Sequence, residues 1–166
     1  MDQANLAVIA IGGDLRGDFA NVEALLEAAL ERFASRGLVI VKRSSWWRSA
    51  AWPDPDQPEY RNAVLLVEAR PPANEMLHSL LAIETAFGRR RVGANRPRTL
   101  DLDLIDHSGQ VIAAPGLILP HPRAHERLFV MGPLAEIAPD WRHPVSGRTA
   151  RDLAASAPVG RDATPL

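Results

Sequence analysis

The chain has 166 residues, no cysteine, 46% hydrophobic and 23% charged residues, and a formal net charge of −1. Such a chain is long enough to bury one real core, cannot form disulfides or thiolate metal sites, and offers nucleic acid or an anionic membrane no overall electrostatic attraction. The N-terminal MDQANLAVIAIGGDL holds an apolar run too short for a membrane span and lacks a basic leader, so a soluble cytoplasmic domain is expected.

In chain order, LAVIAIGG reads as a buried strand ending in a glycine turn at Gly12 and Gly13. Asp18 is the expected cap of a helix through NVEALLEAALERFASRG, with Val22, Leu25, Leu26, Leu30 and Phe33 on one stripe and Gly37 as its stop. LVIVKRSSWWRS is strand-like, with Trp46 and Trp47 expected to pack, and leads into the proline-rich loop AAWPDPDQPEYRN. NAVLLVEAR is a further strand, and PPANEMLHSLLAIETAFG a second helix opened by prolines and closed by Gly88. RRRVGANRPR is a basic loop, TLDLDLID a strand, and Ser108–Gly109 a hairpin-like turn. LILPHPRAHERLFVMGPLAEIAP suggests a short helical segment, and the tail from about residue 158 is expected to fray. With no repeat and no dividing linker, residues 1–166 read as a single domain. Two helices interleaved with about four strands predict an α+β sandwich, helices packed on a largely antiparallel sheet.

The chemistry concentrates in RPRTLDLDLID. Strand alternation puts Leu100, Leu102 and Leu104 on one face and Asp101 and Asp103 on the other, the two carboxylates about 6–7 Å apart. Two anions that close need a positive partner. Three readings compete: a solvated strand face, a glycosidase-like acid and base pair, and a magnesium site that shares its cation with substrate phosphates. Arg89, Arg90, Arg91, Arg96 and Arg98 crowd the loop leading into the aspartates and favour the third, because phosphoryl transfer is mostly positioning and charge neutralisation. Neither a P-loop nor a kinase-type glycine loop is present. The HPRAH spacing of His121 and His125 also invites a zinc reading, which no further ligand cluster supports.

PRTLDLDLI, preceded by GRRRVGANR and followed by LPHPRAHERLFVMGPLAEIAP, resembles the 6-hydroxymethyl-7,8-dihydropterin pyrophosphokinases, as do AIGGDL and DQPEYRNAV over the rest of the chain. The resemblance implies a ferredoxin-like α+β sandwich with long catalytic loops, and transfer of pyrophosphate from ATP to a hydroxymethyl pterin in folate biosynthesis. It further implies two Mg2+ ions on Asp101 and Asp103, and catalytic roles for Arg89 and Arg91. Glu84, Arg98, His121 and Arg127 fall to ATP, and Ser49, Tyr60, Asn62 and Phe129 to the pterin. The partners implied are the two small-molecule substrates; a monomer is expected. A non-catalytic nucleotide- or pterin-binding paralogue is the rival reading. Departures from the family pattern are Asp14 after Gly12–Gly13, Arg96 for a glycine, Pro122 for a tyrosine, and a basic loop without tryptophan. Trp52, beside Pro53, is then the aromatic available to close over the pterin or line its pocket; the alternative for it is a loop anchor tucked against the core.

Overall fold

The computed structural model describes residues 2–50, 56, 58–88 and 100–166. After a 3-10 turn at Gln3–Asn5 come β1 (Leu6–Gly13), α1 (Val22–Ser35), β2 (Ile40–Arg43), β3 (Trp47–Ser49), β4 (Tyr60–Glu68), α2 (Ala73–Ala86) and β5 (Asp101–His107). The remainder comprises β6 (Ile112–Ala114), β7 (Leu117–Leu119), a 3-10 turn at Ala124–Glu126, α3 (Leu128–Ile137), α4 (Ala150–Ser156) and β8 (Thr164–Pro165).

The main sheet runs β5-β1-β4-β3-β8, with β2 also on β4, and its pairings are antiparallel. Strands β1 and β2 are thus joined through α1 with β4 between them, and β4 and β5 through α2 with β1 between them. Those two interlocked split β-α-β units are the ferredoxin-like arrangement.

Alternation along the strands divides the core in two. Ala7, Ile9, Ile11, Ala63, Leu65, Val67, Leu102 and Leu104 pack against Leu26, Phe33, Met76 and Leu80 of α1 and α2. Val8, Val64, Leu66 and Ile105 pack on the opposite face with Val130, Met131 and Leu134 of α3, Leu153 of α4 and Trp141. A register shift opposite Val8 and Ile9 leaves Ile105 between the paired residues Leu104 and Asp106. This bulge lets both Ile105 and Asp106 meet the α3 layer, where Asp106 Oδ2 accepts from Trp141 Nε1 at 3.1 Å.

Several expectations need correction. Asn21, not Asp18, caps α1, its Oδ1 accepting from Ala24 N at 2.8 Å. Ser108 and Gly109 do turn tightly, with φ of 52° and 74°, but β6 pairs with β7 rather than with β5. The number of elements also exceeds the reading, because β3, β6, β7 and β8 are two or three residues long and too short for a periodicity to show. The C-terminal tail does not fray. Thr164–Pro165 pair with Trp47 and Arg48 of β3, and Leu166 N donates to Trp46 O at 3.0 Å. Backbone bonds hold it, and these leave no mark on side-chain patterning. No helix among the described residues is long and apolar enough to cross a membrane.

Candidate active site

The floor of the site is a row of residues across four strands. Gly12 of β1 lies opposite Asp101 of β5 on one side and Asn62 of β4 on the other, and Asn62 lies opposite Trp47 of β3. One step along, Ala10 separates Asp103 from Val64. Adjacent strands lie about 4.8 Å apart, so Asp101 and Asn62 are separated by roughly 10 Å with almost no side chain between them. Gly12 must stay bare: a Cβ there would meet Asn62 Oδ1 at 2.9 Å and Arg61 O at 3.1 Å. Small residues on β1 therefore hollow the sheet surface, with carboxylates on one flank and a carboxamide on the other.

A cavity of about 660 Å³ stands over this floor. Asp101, Asp103, Ser49, Tyr60, Asn62, Arg127 and Phe129 all line it, so seven of the sequence-predicted residues converge. Asn62 Nδ2 donates to Ser49 Oγ at 3.0 Å, which orients the amide. The Phe129 ring lies under the Arg127 guanidinium, 5.8 Å from Cζ to the ring centroid, a cation–π distance. Arg123 and Glu126 also line the cavity, as do Pro158, Val159 and Gly160. Sequence reasoning missed these. Arg123 had a signal, a second cation between His121 and Arg127; the PVG of the tail had none.

His121 sits beside the cavity rather than on its lining. Its backbone N donates to Ile105 O at 2.9 Å, tying the loop to the bulge in β5. Its Nδ1 accepts from Arg123 N at 3.1 Å and Ala124 N at 3.2 Å, so the neutral ring carries its proton on Nε2. Burial first, then the guanidiniums of Arg127 and Arg123, push the imidazole down to about 4 against the opposing pull of Asp101. At neutral pH His121 is a fixed N–H donor. Glu84 is buried behind the site: from α2 its Oε2 accepts from Leu102 N at 2.9 Å, between the two aspartates. Asp106, on the same strand, is pushed above the usual carboxylate range by burial, against the pull of Trp141 and Gly109 N–H groups. Arg89, Arg91, Arg96, Arg98 and Trp52 lie outside the described residues.

Asp101 and Asp103 are hard oxygen donors on one strand face. No group of three or more His, Cys, Asp or Glu suited to a metal occurs among the described residues. A cation on the two aspartates would complete its shell with phosphate or water oxygens, the coordination magnesium prefers. The donor set fits that ion.

The profile of the 7,8-dihydro-6-hydroxymethylpterin-pyrophosphokinase (HPPK) family matches residues 8–139. A 2-amino-4-hydroxy-6-hydroxymethyldihydropteridine pyrophosphokinase of Synechocystis sp. is 44% identical over 150 residues, which are 89% of this chain and 73% of that protein. One of Methylorubrum extorquens is 36% identical, over 90% of this chain and 91% of its own length. Among solved structures, a Plasmodium falciparum HPPK-DHPS superposes with a TM-score of 0.71 at 14% identity, over 91% of this chain. The chain spans 45% of the length of that protein, and the likeness speaks for the fold alone.

Proposed function

The chain belongs to the 7,8-dihydro-6-hydroxymethylpterin-pyrophosphokinase family, an ATP-dependent diphosphotransferase family of folate biosynthesis, and from that premise we propose how its residues divide the transfer. The observation that carries the assignment is that the aspartate pair shares a cavity with Asn62 and Phe129, across a floor of Gly12 and Ala10. One flank suits polyphosphate and its cation, the other a flat amide-edged ring.

On the phosphate flank, Asp101 and Asp103 would hold magnesium. Bound there, the ion supplies charge neutralisation to the phosphates and to the oxygens entering and leaving phosphorus. Arg127 and Arg123 add fixed positive charge, and His121 Nε2–H a neutral donor whose direction is set by the two N–H groups on Nδ1. Arg89, Arg91 and Arg98, which lie outside the described residues, are proposed to act on the phosphates. Glu84 belongs to this flank through the strand: holding Leu102 N keeps both aspartates on one face.

On the other flank, Asn62 still has an amide oxygen and one N–H to offer the pterin's amide-like edge, while Phe129 and Tyr60 offer ring faces. Trp52 is proposed as a further aromatic at this pocket. In the reaction the hydroxymethyl oxygen bonds to the β-phosphorus of ATP as the bond to the α,β-bridging oxygen breaks, AMP leaves with that oxygen, and the alcohol proton passes to solvent. Holding the alcohol in line with the phosphorus supplies much of the rate. AMP release measured with ATP, magnesium and 6-hydroxymethyl-7,8-dihydropterin tests the reading; release independent of the pterin would refute it.

A further inference from the structure

The segment after α4 lies beyond the stretch matched by the family profile, residues 8–139, yet it forms one wall of the cavity. It touches both supports of the ring-binding flank. On the α3 side, Val159 N donates to Glu126 O at 3.0 Å and Leu128 N to Val159 O at 2.9 Å, binding the segment to the start of that helix. Gly160 then turns with φ of 71°, and a Cβ on it would stand 2.5 Å from Phe129 Cδ1. The Phe129 ring thus rests directly on bare backbone. On the β3 side, Asp162 Oδ2 accepts from Ala50 N at 2.6 Å, next to Ser49, whose Oγ receives Asn62 Nδ2. The pairing of β8 with β3 keeps Asp162 in place.

We propose that residues 158–165 act as a strap that positions the pterin contacts, Gly160 seating the Phe129 ring and Asp162 holding Ser49 and so the Asn62 amide. The inference rests on the assignment of Asn62 and Phe129 to the pterin. Neither Gly160 nor Asp162 needs to touch the substrate; both act as positioning residues. A methyl group on Gly160 must displace the ring. Loss of the Asp162 carboxylate frees the end of β3 and lets Ser49 drift from Asn62. Of the phosphate flank, Asp101, Asp103 and His121 make none of these contacts; the strap meets that flank at Arg127, which is bridged to Val159.

The test is calorimetric titration of the full chain with 6-hydroxymethyl-7,8-dihydropterin in the presence of a non-hydrolysable ATP analogue, and separately with the analogue alone. Gly160→Ala and Asp162→Ala should each weaken pterin binding roughly tenfold, a change of about 1.4 kcal/mol. Affinity for the analogue should stay near the parent's in both; the melting temperature should stay near it in Asp162→Ala and fall in Gly160→Ala, whose Cβ is strained at positive φ and overpacks the ring. Asp162→Asn keeps an oxygen acceptor for Ala50 N and should restore most of the loss, whereas Arg161→Ala, on the same strap, should change nothing. Unchanged pterin affinity in both strap variants, with Asn62→Ala and Phe129→Ala impaired, overturns the strap and leaves the pterin pocket standing. Pterin affinity unchanged in Asn62→Ala and Phe129→Ala overturns the pocket assignment and the strap with it. Equal losses for pterin and analogue, with a lower melting temperature, would mean the strap is only a structural brace.

Discussion

The two faces of the central sheet are built from the same three strands and differ in what interrupts their apolar alternation. Towards α1 and α2, the alternate positions of β1, β4 and β5 stay apolar along their length, from Ala7 to Ile11 and from Ala63 to Val67. Towards α3 and α4, Val8, Leu66 and Ile105 are apolar at one end, while the other end turns to Ala10, Gly12, Asn62, Asp101 and Asp103. One face serves stability over its whole area. The other is split between packing and a hollow lined with polar groups, so the chemistry can change there without disturbing the larger core.

The largest effects are expected at the polar end. Asp101→Asn and Asp103→Asn should each lower turnover by roughly 100-fold or more, the scale of losing one preorganised electrostatic partner, with the melting temperature near the parent's. Turnover within a few-fold of the parent in both would end the separation of roles and the metal assignment with it. The converse experiment is Phe33→Ala on the closed face. Phe33 is 1% exposed, and its truncation should cost about 3–5 kcal/mol in denaturant unfolding, with the catalytic constants of the folded fraction unchanged.

The apolar end of the split face should respond more gently. Trp141→Phe leaves Asp106 Oδ2 without the indole N–H inside a buried layer, a loss of about 1–3 kcal/mol. Gly132→Ala sharpens the same point, since its Cβ would lie 2.6 Å from the Trp47 ring and overpacking costs about 1–3 kcal/mol.

A further effect is on pH dependence. His121 is held down to about 4, and His143 is lowered by burial and by His125. Unfolding lets both take up protons near their ordinary value, so stability should fall as pH drops from about 6.5 towards 4. The raised Asp106 acts in the opposite sense: its contribution is present at low pH and lost as pH rises above the ordinary carboxylate value. Melting temperatures of parent and His121→Gln across this range isolate the first term, because Asp106 is common to both. A slope as steep in the variant would remove His121 as a source.

How much of this was legible in the sequence differs by the kind of interaction. Alternation alone put Asp101 and Asp103 on one strand face and Leu102 and Leu104 on the other, and helix periodicity found the stripe of α1 at Leu25, Leu26 and Phe33. The family resemblance supplied Ser49, Tyr60, Asn62, Arg127 and Phe129, all of which line the cavity. Contacts made by backbone were invisible. The docking of Val159 on Glu126 and Leu128, the pairing of β8 with β3, and the clearance at Gly160 depend on carbonyls and N–H groups that every residue carries. The choice of Asn21 over Asp18 as helix cap was a matter of three residues of register between two equally suitable side chains.

Glu84 has a consequence beyond the site. Strand β5 ends the sheet order, and a strand in that place presents N–H and C=O groups to any extended chain that drifts against it. Glu84 occupies the Leu102 N–H with a buried carboxylate, and a second peptide would have to displace that charge to pair there. At the other end of the sheet stands β8, two residues long, with Pro165 paired to Trp47, and a proline has no N–H to extend a ladder. The β5 and β8 borders of the sheet thus each disfavour the addition of a further strand, which guards those two edges against self-association during refolding.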